Sequence, residues 1–370
     1  MCILYRFAAG GVAAGLSEPG FAKGVAGPGS AKPNESERCL PIACITIPDD
    51  HSARTPSFFY KDSALSIQCK FEYPLGMQTL TQIREILARF SARPVHRFGQ
   101  NFMVDLNTLK KVVDAAHIPT SATVLEVGPG TGSLTEELVA RANRVVAAEI
   151  DRNLSAHLRD HFANVPTFTL VEGDALAGKH ALAPAILDAV GPACHLVANL
   201  PYNIATPLIA NMLCESHASL SGGGTRFDRM TFTVQKEVAR RMGAGVDDPS
   251  NYGNVSILIG ILADVKLGKV IPPGAFFPPP KIDSQIVRID FNPVKAARLN
   301  SLETLQALLR QCFTQRRKNV LTTAKSRAAA FEKPQLAAAL DAASVPHDRR
   351  ADNLSPDEFL AVANALATNS

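Results

Sequence analysis

The chain has 370 residues, 46% of them hydrophobic, a formal charge of +4 and seven cysteines. That length corresponds to roughly two domains and the apolar content is ample for a core, while the longest apolar runs, such as 255–265, are too short to span a bilayer. The cysteines (Cys2, Cys39, Cys44, Cys69, Cys194, Cys214 and Cys312) lack C-x-x-C or Cys/His spacing, so no metal site is expected, and their odd number and scatter suit reduced thiols in a cytosolic compartment. The mild basicity is compatible with a polyanionic partner without establishing one.

In chain order, residues 1–76 stand apart. Ala8 to Lys32 is rich in Gly, Ala and Pro without sustained periodicity, which reads as a disordered extension. Two rival readings are a signal peptide, because Arg6 precedes the small apolar run Phe7 to Leu16, and an upstream start artefact, because Met77 directly precedes the first convincing helix. That helix carries Leu80, Ile83, Ile86 and Leu87 on one face. After His96 to Phe102, Asp105 is a natural N-cap for a helix with Leu109, Val112, Val113 and Ala116 inside. Val124 to Val127 then reads as a buried parallel strand entering Gly128-Pro129-Gly130-Thr131-Gly132, after which Leu134, Leu138 and Val139 resume helical spacing. Further strands are expected at Arg144 to Ala148, ending in Glu149; at Phe168 to Val171, ending in Glu172-Gly173-Asp174; and at His195 to Ala198, ending in Asn199-Leu200-Pro201-Tyr202. A helix follows with Ile204, Leu208, Ile209 and Met212 on one side, then a glycine-rich loop and a fifth strand, Met230 to Val234. Strand-like segments Val255 to Leu262 and Ser284 to Phe291 are expected to close the sheet, flanking Phe276 to Lys281. Beyond about Asn292 only helices are expected: Leu302–Phe313, Arg316–Ala330, Pro334–Ala343 and Pro356–Ala367. The reading is therefore an α/β doubly wound domain over 77–295 followed by a small all-α domain over 296–370.

The glycine-rich turn lacks the third glycine of the dinucleotide fingerprint, since Ser133 stands there, and no lysine follows to make a phosphate loop. Alone it is about as consistent with a tight structural turn. Glu149, at the next strand tip, can accept hydrogen bonds from both hydroxyls of a ribose, and Asp174, at the third, can accept from an adenine amino group. An adenosine without a phosphate motif points to S-adenosylmethionine, whose carboxylate the loop amides of Gly128 and Gly130 can meet. Asn199-Leu200-Pro201-Tyr202 lies at the fourth tip. An exocyclic base amine is a poor nucleophile because its lone pair is delocalised. The Asn199 side-chain oxygen and the Leu200 carbonyl can accept from both N–H groups and aim that lone pair. Pro201 fixes the turn, and Tyr202 offers a ring for an extruded base. A tight Asn-Pro-type turn with a core tyrosine is the bland alternative. Phe277 is either a second stacking face or a loop anchor. His96 and Arg97 are either ordinary solvated residues or a lid. The basic sets Lys236, Arg240, Arg241 and Arg316, Arg317, Lys318 are solvated helix faces or contacts to RNA phosphates. His117, His157 and His161 form no ligand set.

Taken together, Arg97-Phe98-Gly99-Gln100-Asn101-Phe102, Glu126 to Leu134, Glu149-Ile150-Asp151, Glu172-Gly173-Asp174-Ala175, Asn199 to Ile204, Gln235 to Ala239, Phe277 to Ser284 and Phe313 to Lys318 resemble the small-subunit ribosomal RNA adenine dimethyltransferases of the kasugamycin-sensitivity type, over about 80–360. The resemblance implies a Rossmann-like S-adenosylmethionine-dependent methyltransferase domain with a helical domain behind it. It implies a monomeric, cytoplasmic enzyme that dimethylates N6 of two adjacent adenines in a hairpin loop near the 3′ end of small-subunit (16S) RNA on the assembling subunit. It carries cofactor contacts to Asn101, Met103, Gly128, Glu149, Asp174 and Asn199. Met103 replaces the usual leucine, and His96 replaces the usual Lys or Arg. Large-subunit RNA methyltransferases share these motifs, but Arg349 to Ser355 favours the small-subunit group. A non-catalytic nucleic-acid-binding factor on the same fold is the alternative from another class, and the intact Glu149, Asp174 and Asn199 to Tyr202 speak against it.

Overall fold

In a computed structural model, residues 78–91, 99–178, 181–326 and 329–368 are described. The extension 1–76 and the pair His96-Arg97 lie outside the described residues. The helices are α1 (Leu80–Arg89), α2 (Leu106–Ala116), α3 (Ser133–Val139), α4 (Arg152–His161), α5 (Pro184–Val190), α6 (Ala205–Ala218), α7 (Lys236–Met242), α8 (Asn254–Leu262), α9 (Pro293–Ala296), α10 (Leu302–Thr314), α11 (Lys333–Ala342) and α12 (Pro356–Thr368). The strands are β1 (Phe102–Met103), β2 (Thr123–Val127), β3 (Arg144–Glu149), β4 (Phe168–Glu172), β5 (Ala193–Asn199), β6 (Arg226–Gln235), β7 (Ala263–Ile271), β8 (Phe276–Phe277) and β9 (Ser284–Phe291).

Seven strands form one sheet in the order β4-β3-β2-β5-β6-β9-β7. The first five are parallel, and β9 and β7 add antiparallel. Strand order reverses between β2 and β5, so their carboxyl ends flank the crevice in which such sheets bind ligands. The apolar runs of β2, β3 and β5 are buried because helices cover both faces. The motif strands arrive as their sequences predict, and Asp105 caps α2 by accepting from Asn107 N at 3.2 Å.

Two segments differ from expectation. Val255 to Leu262 is helical, within α8, and the strand follows it as β7. The run Val-Ser-Ile-Leu-Ile-Gly-Ile-Leu is buried nearly all round, among α6, α12 and the sheet, so neither period shows in it. β7 is the sheet's edge strand; its exposed Asp264, Lys266 and Lys269 conceal the strand pattern and discourage further pairing. The helix expected over Arg316–Ala330 is also absent as such: a 3-10 helix spans Val320–Lys325. Asn319 bridges to Arg350, and Val320 N donates to the Arg349 carbonyl at 3.0 Å, which pulls the chain out of helical geometry there. Gln311 Oε1 then accepts from Ala330 N at 2.8 Å and Phe331 N at 2.9 Å. After β9 the described chain is helical, and α10 to α12 share a continuous apolar core with α8 and the sheet. Among the described residues no helix is long and apolar enough to cross a membrane.

Candidate active site

A cavity of about 280 Å³ opens at the carboxyl ends of β2, β3, β4 and β5. Its lining includes every residue expected to hold the cofactor: Asn101, Met103, Gly128, Gly130, Glu149, Asp174 and Asn199. Pro201 lines it too, whereas Leu200, Tyr202 and Phe277 do not.

The glycine loop forms the inner wall. Gly128, Gly130 and Gly132 all adopt left-handed backbone (φ +72°, +62° and +89°). At Gly130 there are two reasons for glycine, because a Cβ there would also come within 2.9 Å of the Phe102 ring. Gly130 N donates to Glu149 Oε2 at 3.0 Å, and Asp151 N donates to Glu149 Oε1 at 2.9 Å. The carboxylate at the tip of β3 is thus fixed to the loop at the tip of β2. Burial pushes Glu149 up to about 7 despite these two donors. Asp174 is exposed at the rim, where its Oδ1 accepts from Leu176 N at 2.9 Å.

Glu126 went unassigned in the sequence reading. It faces the cavity from within β2, is fully buried and accepts from Thr135 Oγ1 at 2.7 Å. Burial, with a smaller contribution from Glu149, pushes its carboxyl up to about 8. The available signal was a single acid inside an otherwise apolar strand run.

The opposite wall comes from the 99–105 segment. β1 pairs antiparallel with β8, setting Phe102 opposite Phe277 and Met103 opposite Phe276, and Val104 N donates to the Ala275 carbonyl at 2.9 Å. Asn199 Nδ2 donates to the Asn101 carbonyl at 2.7 Å, while Thr233 Oγ1 donates to Asn199 Oδ1. Thr233 sits beside Asn199 in the parallel β5–β6 register and is fully buried. The Asn101 carbonyl, which only accepts, fixes which way the Asn199 amide points, Thr233 then donates to its oxygen, and that oxygen keeps capacity for a second donor. Thr233 gave no sequence signal, because its role depends on register.

Leu200 is buried, and the turn after it closes with Ile204 N donating to the Pro201 carbonyl at 3.2 Å. Tyr202 is half-buried, and its hydroxyl and Ser284 Oγ lie 2.7 Å apart, tying the turn to β9. Phe277 packs beside Phe102, Ile83 and Leu87, and the Arg84 guanidinium lies over its ring at 5.1 Å.

The basic sets, 75 residues apart in sequence, meet through one loop. Arg240 pairs with Asp248 at 2.7 Å, and Arg316 Nη1 donates to the Ser250 carbonyl at 3.5 Å. Lys236 lies 3.9 Å from Asp283, Arg241 pairs with Glu237 at 3.7 Å, and Arg317 and Lys318 are exposed in a turn rather than on a helix. Surface pairs of this kind contribute little to stability, so they leave the cations available to a stronger anion. His157 and His161 pack behind the glycine loop, where His157 Nε2 lies 3.0 Å from the Thr131 carbonyl.

Comparison with known proteins agrees with this arrangement. Residues 92–368 match the family described as ribosomal RNA adenine dimethylase. The chain is 33% identical over 287 residues to ribosomal RNA small subunit methyltransferase A of Clostridium perfringens, covering 76% of this chain and 94% of that one. It is 34% identical over 288 residues to the protein of that name from Listeria innocua, with coverage of 76% and 94%. A dimethyladenosine transferase from Plasmodium falciparum superposes with a TM-score of 0.57 at 27% identity, covering 70% of this chain and 95% of that one. The 23S rRNA methyltransferase ErmE, with a TM-score of 0.50 at 24% identity and coverage of 72% and 100%, shares the fold. With the family's motifs gathered around one cavity and the match running through nearly all of the described chain, this protein belongs to the ribosomal RNA adenine dimethylases, which are S-adenosylmethionine-dependent methyltransferases.

Proposed function

We propose that this enzyme dimethylates N6 of two adjacent adenines in a hairpin loop near the 3′ end of small-subunit ribosomal RNA, on the assembling subunit, with S-adenosylmethionine as donor. The small-subunit assignment is supported by the names of its relatives at 33–34% identity. One chain supplies every group invoked below, which supports action as a monomer.

The residues present fit the donor. Glu149 offers carboxylate oxygens for a ribose, Asp174 an acceptor at the rim, and the loop at Gly128 and Gly130 a backbone a ligand can approach closely. Asn101 and Met103 close the wall opposite. When bound, the donor supplies a methyl group on a sulfonium, open to in-line displacement.

The observation that carries the reading is the doubly anchored Asn199 amide at the cavity edge. Held this way, Oδ1 accepts one N–H of the adenine amine and the Leu200 carbonyl accepts the other, directing the nitrogen lone pair at the methyl. Tyr202 and Phe277 stack the extruded base. The fixed acceptors do most of the work by orientation, and no strong base is needed because the methylated amine sheds its proton readily. Lys236, Arg240, Arg241, Arg316, Arg317 and Lys318 meet phosphates along the face that the 248–250 loop joins.

The test is methyl transfer from labelled S-adenosylmethionine to undermethylated small subunits, with large-subunit RNA alongside, followed by nucleoside analysis. N6,N6-dimethyladenosine confined to small-subunit RNA is expected. Label on large-subunit RNA alone would overturn the substrate assignment.

A further inference from the structure

Gln78 precedes α1 and lies outside the family-matched stretch 92–368. Its side chain is buried, and among the described residues its three side-chain hydrogen bonds go to the glycine loop or the helix that loop opens. Nε2 donates to the Thr131 carbonyl at 2.7 Å and to Glu136 Oε1 at 3.1 Å, and Oε1 accepts from Ser133 Oγ at 3.1 Å. Thr131 and Ser133 both line the cavity. His157 Nε2 converges on the same Thr131 carbonyl at 3.0 Å, and His161 Nε2 lies 3.0 Å from Glu136 Oε1. Among the described residues Glu136 Oε2 is buried with no partner, so Gln78 and His161 carry the polar demand of that acid.

The anchor is itself held. Thr79 and Gln82 form a capping box that starts α1 one residue after Gln78. α1 then seats Ile83 and Leu87 against Phe102 and Leu154, and the Phe102 ring lies against Gly130. The segment thus grips the loop from behind through Gln78 and from the front through Phe102. A loop with three left-handed glycines has many alternatives when unsupported, and ordering it on binding would cost affinity. The Thr131 carbonyl lies between two of those glycines, where a single restraint removes the most freedom.

We propose that Gln78 is a positioning residue for the cofactor site: its amide holds the glycine loop in the shape that receives the donor, so the segment ahead of the family-matched region is a working part of the active site. The inference rests on the placement of S-adenosylmethionine in this cavity. Gln78→Leu keeps the volume and loses all three bonds, and Gln78→Glu keeps the acceptor but loses both donors and sets a second acid against Glu136. Both are made in the full chain, with Tyr252→Phe, at a residue that does not line the cavity, as a control for lost stability. Calorimetric Kd for S-adenosylmethionine and S-adenosylhomocysteine, and kcat and KM for methyl transfer, are measured well below each unfolding midpoint. Both Gln78 variants are expected to weaken Kd and raise KM about tenfold with kcat at saturation nearly unchanged, while Tyr252→Phe lowers the midpoint and leaves Kd alone. Wild-type Kd in both Gln78 variants, or a Kd that follows the unfolding midpoint in all three, would overturn the proposal. A wild-type chain that binds neither compound would instead overturn the cofactor placement beneath it.

Discussion

In the proposed mechanism Asn199 concentrates the chemistry into one amide. Its nitrogen is committed to the Asn101 carbonyl and its oxygen to Thr233; a flipped amide would set acceptor against acceptor at the Asn101 carbonyl, which cannot donate, and the Thr233 hydroxyl would have to turn from donor to acceptor. Replacing Asn199 with Ala should lower the single-turnover methyl-transfer rate by roughly a hundredfold, the scale for removing one fixed polar group, with a much smaller effect on cofactor Kd; an unchanged single-turnover rate would remove Asn199 from the mechanism. Thr233→Val should cost about tenfold in that rate, within the range of one buried hydrogen bond, and Thr233→Ser should recover most of it. The two raised carboxyls set the pH behaviour. Glu149 and Glu126 hold their protons in the folded, ligand-free site up to about 7 and about 8, against an ordinary value of 4.5. Their contribution to stability is therefore fully present below about 4.5 and lost as pH rises through the folded values. The unfolding midpoint of the ligand-free protein should fall from about pH 5 to about pH 8 through these groups. Ribose hydroxyls and a sulfonium favour the carboxylate form, so S-adenosylmethionine binding should release protons near neutrality and tighten with rising pH. Calorimetry in buffers of different ionisation enthalpy reads this directly; proton uptake would contradict it, and Glu149→Gln should abolish most of the release.

At the scale of elements, α8 joins the helical end of the chain to the sheet. A Cβ on Gly260 would lie 2.7 Å from the Pro356 ring at the start of α12. Glycine to alanine within a helix normally gains about 1 kcal/mol, but the proline ring cannot swing away, and overpacking costs about 1–3 kcal/mol. The clash should win: Gly260→Ala should lower the urea midpoint, and a raised midpoint would show that α12 shifts freely. Tyr252 makes a second link, its hydroxyl donating to the Leu354 carbonyl at 2.8 Å from a buried position. α8 is also where the period failed. A run buried on all sides carries no face, so only neighbouring elements decide between helix and strand.

Over the whole molecule, the 248–250 loop draws together two basic segments distant in sequence. Neutralising Arg316, Arg317 and Lys318 together should weaken RNA binding and flatten the plot of log K against log salt by about 2 to 3 units if all three meet phosphates. Filter binding of a small-subunit RNA fragment across a salt series checks this, and an unaltered slope would leave those cations as a solvated face only. Cofactor Kd should not change, since none of the three lines the cavity.

The parallel strands, the left-handed glycine turn, the Asp105 cap and the acids at successive strand tips were legible in the sequence, because each follows from local backbone chemistry or from a buried apolar run bounded by turns. The gathering of Gly128, Glu149, Asp174 and Asn199 around one cavity then follows from parallel strands ending on one side of a sheet, whereas Asn101 is brought there by the pairing of β1 with β8. What tertiary structure alone decided is which groups hold those residues in place. Thr233 meets Asn199 only through the β5–β6 register, Gln78 reaches Thr131 from 53 residues away, and Asn319 leaves helical geometry because Arg350 pairs with it. Such contacts are made by side chains and backbone groups that leave no period in the sequence, since each depends on where another part of the chain has already packed.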